Sequence, residues 1–172
     1  MIDVAEAARI LAADKSIVRQ MSWAPKLKAT EPCWYQYESA VSDLASAQTV
    51  EGLLVRCLWR PRIRDRPGVF ACGLFAEVAS RIYAIDVGPL DDHTNNKAGR
   101  GRPFWGKHVG GIHEHTWSDD GERYGYAEPI NGLSADDPEG TWREFCNRAH
   151  LRCAHLFVHP DSAVNAGQAG LF

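Results

Sequence analysis

Apolar residues recur at helical spacing near the two ends of this 172-residue chain; between them they fall in short aromatic and β-branched runs broken by glycine and proline. That pattern confines the chain to a sheet with one helix before it and one after it. Val4, Ala7, Ala8, Leu11 and Ala12 open the first helical pattern, and Ile17, Val18 and Met21 continue it, which predicts a helix over 3–21. Trp23-Ala24-Pro25 closes this N-terminal segment (1–24), because the residue before a proline avoids the α region. Near the other end Asp137 is a good N-cap with Pro138 at the first helical position, and Trp142, Phe145, Cys146 and Ala149 share one face.

The interior reads as strands. One is expected within 33–47 through Trp34, Tyr35 and Tyr37, and another over 51–60. Residues 69–87 read as two strands hinged near Ser80, although Phe70, Leu74, Val78, Ile82 and Ile85 would also line a helix. Residues 112–117 and 123–127 read as a hairpin around Asp119-Asp120-Gly121, since glycine tolerates the positive φ of a tight turn. A last strand is expected at 154–158, before a small-residue tail at 160–172. The expectation is a single α+β domain over 1–172, with a largely antiparallel sheet.

A formal net charge of -3 argues against a generic polyanion binder. No apolar run approaches the roughly 18 residues that span a bilayer, and the start of the chain lacks the basic residues of a secretory signal. Cys33, Cys57, Cys72, Cys146 and Cys153 are scattered without CxxC spacing, which suggests inert buried thiols in a reducing compartment. The reading is a cytoplasmic protein with no membrane partner.

The chemistry concentrates in residues 88–126. Residues 88–111 form a polar loop, long enough to be functional or disordered. It carries His93 and His108, and the following strand carries His113 and His115. Strand side chains alternate, so His113 and His115 point to one side, where two neutral imidazoles can share a transition metal. His93 or His108, with Asp86, Asp91 or Asp92, would complete such a site, a catalytic zinc wanting three protein ligands and an open position. Without a metal, the same histidines would act as general base and acid on a phosphodiester, with Tyr124 and Tyr126 facing them from the partner strand. A third reading leaves them as hydrogen-bonded residues that knit the hairpin to the loop. No HExxH, Walker loop, GxGxxG or GxSxG occurs, and His150, His155 and His159 read as ordinary core or surface residues.

Arg56, Arg60, Arg62, Arg64 and Arg66 occupy alternate positions, so an extended backbone would project all five to one side. Arginine suits phosphate and carboxylate, and the strip would meet nucleic acid or an acidic protein surface. The plainer alternative is a solvated strand edge whose arginines pair with nearby acids. Arg100, Arg102, Lys97 and Lys107 add a second positive cluster in the loop.

Ile85-Asp86-Val87-Gly88, His93-Thr94-Asn95, Gly111-Ile112-His113-Glu114-His115 and Tyr126-Ala127-Glu128-Pro129 together resemble a family of bacterial and phage-associated domains with no assigned activity. The resemblance covers roughly 70–150, including Phe145-Cys146 in the second helix; the loop from Asn96 to His108 is longer than the pattern, and Glu128 interrupts Ala127 and Pro129. The arrangement is also similar to small toxins of toxin–antitoxin pairs with histidine-rich strand ends, by analogy alone.

Two functions follow as expectations. One is a toxin-like, phosphodiester-directed hydrolase acting on RNA or a nucleotide. His113, His115, His93 and Tyr124 would be catalytic or, for the histidines, hold a divalent transition metal, while Arg100, Arg102 and Lys107 hold phosphate. The other is a non-enzymatic binding protein of phage or mobile-element origin, such as an anti-CRISPR-like inhibitor of a bacterial defence system or a toxin–antitoxin component. It would use the arginine strip and exposed tryptophans such as Trp105.

Overall fold

A computed structural model describes residues 2–26, 34–77, 80–91, 93–120 and 125–162. The fold is α+β. Helix α1 (Val4–Ala12) is followed by β1 (Lys15–Ile17), β2 (Ala24–Pro25), β3 (Tyr35–Asp43), β4 (Thr49–Arg60), β5 (Val69–Ala76) and β6 (Ser80–Val87). Then come β7 (His93–Thr94), β8 (His108–Val109), β9 (Ile112–Thr116), β10 (Tyr126–Pro129) and helix α2 (Pro138–Arg148). The main sheet runs β1-β3-β4-β5-β6-β9-β10, with β2 also paired to β3, and β7 pairs with β8 in a small second sheet. The pairings within both sheets are antiparallel.

The predicted hinge in 69–87 is present, with β5 and β6 separated near Ser80. Register divides the sheet into two faces. Cys57, Cys72 and Ile85 stand opposite one another across β4, β5 and β6, as do Trp59, Phe70 and Val87. These residues are buried and form the core with Tyr83, Trp142 and Phe145. Asp137 caps α2 by accepting from the Gly140 N–H at 2.8 Å, as its sequence position predicts. The Tyr83 and Phe145 rings stack with centroids 6.0 Å apart. The Arg148 guanidinium donates to Glu114, which also accepts from the Tyr83 hydroxyl at 2.8 Å, tying α2 to β6 and β9. Cys57, Cys72, Cys146 and Cys153 are buried free thiols, as expected, while Cys33 lies outside the described residues.

Three expectations are corrected. The first helix ends at Ala12 rather than running to 21, and Lys15–Ile17 pairs with Val41–Asp43 instead. Lys15 makes the stop, because its buried ammonium donates to the Leu11 and Ala13 carbonyls at 2.9 and 2.6 Å. The apolar Ile17 thus reaches the core from a strand, tertiary pairing overriding helical periodicity. The final strand at 154–158 is instead a 3-10 turn at Ala154–Leu156 followed by irregular chain. There Trp23 Nε1 donates to the Val158 carbonyl at 2.8 Å, so side chains satisfy this backbone without a strand partner.

The arginine strip is not extended. Ile63 and Arg66 exchange backbone hydrogen bonds across a tight turn, and Arg64 sits at φ 50°. Arg56 pairs with Glu38 at 2.8 Å, and Arg60 is buried, donating to the Pro67 carbonyl and lying over Trp34. Arg62, Arg64 and Arg66 are exposed on the turn. The five guanidinium groups therefore form no single row.

Candidate metal centre

On the sheet face opposite the core, Asp86 stands across from His113, and Ala84 across from His115. Ala71, Gly73 and Ala127 share that face by register, so the floor around the histidines is built from small residues. His113 and His115 are buried, and His93 descends on them from the loop. The three ring centroids lie 4.8–5.1 Å apart. One nitrogen from each ring falls within 4.8 Å of the others, the one group of this kind among the described residues.

The loop reaches this position by folding around β10. Gly88 donates its N–H to the Gly111 carbonyl at 2.7 Å, closing the neck of the loop. Gly111 must be glycine there, because a Cβ would collide with the Gly88 carbonyl oxygen. His93 pairs with Val109, and Thr94 with His108. Asn95 is buried and bonds Ala127 twice, accepting from its N–H at 2.8 Å and donating to its carbonyl at 2.7 Å. Its amide also donates to the Phe104 carbonyl at 3.2 Å. Past Asn95 the loop crosses to the other side of β10, where the Phe104 N–H donates to the Tyr126 hydroxyl and Arg102 covers the Tyr126 ring at 3.7 Å. Asp120 accepts from the Gly99 and Arg100 N–H groups at 2.7 Å and holds this far end down.

Electrostatics favour the neutral imidazole at His93 and His113. Burial pushes His93 down to about 4, with the neighbouring His115 and His113 adding to the effect. Burial also lowers His113, although the Asp86 charge opposes this. His113 Nδ1 lies 2.8 Å from the Gly110 carbonyl; as that oxygen only accepts, Nδ1 carries the proton and Nε2 is free. His115 Nε2 lies 3.0 Å from Asp86 Oδ2, and its Nδ1 is buried without a partner among the described residues. For Asp86, burial alone would raise the carboxyl, but the His115 hydrogen bond and the Arg81 charge outweigh it and hold the group well below the usual carboxylate range. Arg81 reaches Asp86 at 3.3 Å.

Of the sequence-predicted residues, His93, His113, His115 and Asp86 come together. His108 is exposed and bonded to the Thr94 hydroxyl at 3.1 Å, and Asp91 is exposed and outside the histidine group. Asp92 and Tyr124 lie outside the described residues. Tyr126 does not face the histidines: Ala127 pairs with His115, which puts Tyr126 on the opposite face. Arg102 is on that face too, engaged with Thr116 at 3.3 Å and Glu128 at 3.7 Å. Arg100 and Lys107 are exposed, and Trp105 is half-buried beneath Arg100 rather than exposed. Sequence reasoning missed Arg81 and Asn95. The polar Asn95 beside His93-Thr94 gave no hint of its strand partner, and the bulge between Leu74 and Phe75 disturbs the alternation near Arg81.

A cavity of about 320 Å³ opens beside the cluster, lined by His93, Thr94, Asn95, Asn96, Lys97, Ala98 and Gly125. A larger groove of about 740 Å³ runs along α2, and none of His93, His113 and His115 lines it. No family model, curated protein or solved structure matches this chain. The resemblance to bacterial and phage-associated domains thus stands on the quoted residues alone, and the site itself carries the functional argument.

Proposed function

We propose that the protein is a metal-dependent hydrolase built on His93, His113 and His115, with an anionic phosphodiester as its substrate class. The observation that carries this reading is the convergence of three imidazole nitrogens within 4.8 Å of one another beside an open cavity. Tetrahedral zinc–nitrogen bonds of roughly 2.05 Å set ligand nitrogens about 3.3 Å apart. Small rotations of three histidines, one of them on a loop, close that gap. Three histidine ligands leave a fourth position for water or substrate. A divalent metal there supplies Lewis-acid activation of water and of a phosphoryl oxygen.

The surrounding charges favour an anion. Asp86 is matched by Arg81, so neutral imidazoles leave the charge of a bound dication undiminished. The loop that delivers His93 also brings Lys97 to the wall of the cavity. Around the cavity, Asn95 fixes the loop through its two bonds to Ala127.

Metal content of the purified chain tests the reading. About one zinc, manganese or other transition metal per chain is expected, lost in a folded His113→Ala/His115→Ala variant. Failure to take up metal after reloading with zinc or manganese would refute it. With metal bound, hydrolysis of a chromogenic phosphodiester should depend on the same histidines.

A binding function has one specific observation in its favour. Arg62, Arg64 and Arg66 are exposed on one turn, and none of them has an ion pair among the described residues. Charge reversal at Arg62 and Arg64 with loss of a partner, while histidine variants still bind it, would favour that reading.

A further inference from the structure

We infer that His115 binds the metal through Nδ1, and that Asp86, backed by Arg81, is the positioning residue that holds its Nε2–H. The inference rests on the three-histidine reading above and assigns the ligand atom within it.

The two histidines of β9 are anchored in opposite senses. His113 gives Nδ1–H to the Gly110 carbonyl, three residues earlier in its own chain, and so offers Nε2. The partner of His115 is on the neighbouring strand, where Asp86 Oδ2 stands 3.0 Å from Nε2. A carboxylate accepts only, so Nε2 carries a hydrogen, and in the neutral ring that metal binding requires the lone pair is on Nδ1. That Nδ1 is buried and has no hydrogen-bond partner among the described residues, on a residue 1% exposed. Its neighbours across the sheet on that face are Ala84 and Ala127, whose side chains offer no donor. Buried nitrogen lone pairs in folded proteins are rarely left unmatched, and an unexplained one calls for an occupant. A cation held jointly with His93 and His113 supplies it.

Asp86 is in the right place to orient and in the wrong place to ligate. It does not belong to the group of converging atoms. Its Oδ2 is engaged by His115 Nε2 at 3.0 Å and by Arg81 at 3.3 Å, with His113 Nε2 farther off at 3.7 Å. An imidazole that binds metal through one nitrogen and gives its other N–H to a carboxylate is fixed in tautomer and ring orientation and becomes a stronger donor. Arg81 reaches the same Oδ2 at 3.3 Å and so holds the carboxylate beside His115 Nε2.

The test uses the full chain labelled with 15N-histidine and loaded with 113Cd(II). One-bond cadmium–nitrogen coupling is expected to Nδ1 of His115 and to Nε2 of His113, with a slowly exchanging Nε2–H proton on His115. Coupling to His115 Nε2 would overturn the inference while leaving the metal site intact. A chain that binds no cadmium at all would instead overturn the metal reading itself, and this inference with it. Asp86→Ala should weaken zinc binding by about 10–100-fold and abolish the slow Nε2–H signal. Asp86→Asn keeps an acceptor for that hydrogen and should lose less while retaining coupling to Nδ1. Equal losses in the two variants would mark Asp86 as a ligand and overturn the assignment.

Discussion

Replacing Asn95 with alanine removes three hydrogen bonds at once: two to Ala127 and one to the Phe104 carbonyl. A net hydrogen bond contributes about 0.5–1.5 kcal/mol, and a buried polar group left unmatched costs about 1–3 kcal/mol. Asn95 is 1% exposed, and the low end of each range allows for relaxation of the loop into the vacated space. The expected loss is about 2–4 kcal/mol. With a urea slope of about 2 kcal/mol/M, the unfolding midpoint should fall by about 1–2 M. Hydrogen exchange read in the same samples should show residues 93–109 losing protection first, with β4 and β5 unchanged until global unfolding. Asn95→Asp retains the acceptor for the Ala127 N–H but sets a carboxylate against two carbonyl oxygens, and it should be at least as damaging at neutral pH. A midpoint shift below about 0.25 M in both variants, with loop exchange unchanged, would refute the view that Asn95 fastens the loop.

Other consequences are open to measurement. Burial depresses the Lys15 amine to about 8. Unfolding returns it to about 10.4, so the unfolded chain binds more protons between those values and this group's contribution rises with pH across that window. Wild type should therefore gain stability relative to Lys15→Met between pH 8 and pH 10, and a flat difference would contradict the assignment. Asp120 is drawn down to about 2 by the Ser118 hydroxyl and then by the Arg100 and Gly99 N–H groups. Its hold on the loop should be complete above about pH 4 and be lost as pH falls through about 2. Asp120→Ala should abolish exchange protection at the Gly99 and Arg100 amides at neutral pH, and unchanged protection would sink the idea.

Some of this was legible in the sequence because local chemistry and tertiary structure agree. The α2 cap at Asp137-Pro138 and the apolar face of Trp142, Phe145 and Cys146 appear as expected, since caps and periodicity are local properties. The alternation that puts His113 and His115 on one face is equally local. Other features depend on distant residues. Nothing near Ala12 announces that Ile17 will find Val41 across a strand pair. The even spacing of five arginines carries no information about the turn at Ile63 and Arg66 that breaks them apart. Placing Tyr126 required the register of β10 on β9, and one residue of slip would have reversed its face.

The arrangement of Asn95 on Ala127 bears on more than the histidines. The outward N–H and C=O of Ala127, at the last strand of the sheet, are consumed by a side chain rather than by another strand. Unpaired groups on an outermost strand are a template for association with a second chain. The segment that delivers His93 is thus also the guard that keeps β10 from recruiting neighbours. A change that released the loop from Ala127 would bare those N–H and C=O groups, so the two bonds that place His93 also close the border of the sheet.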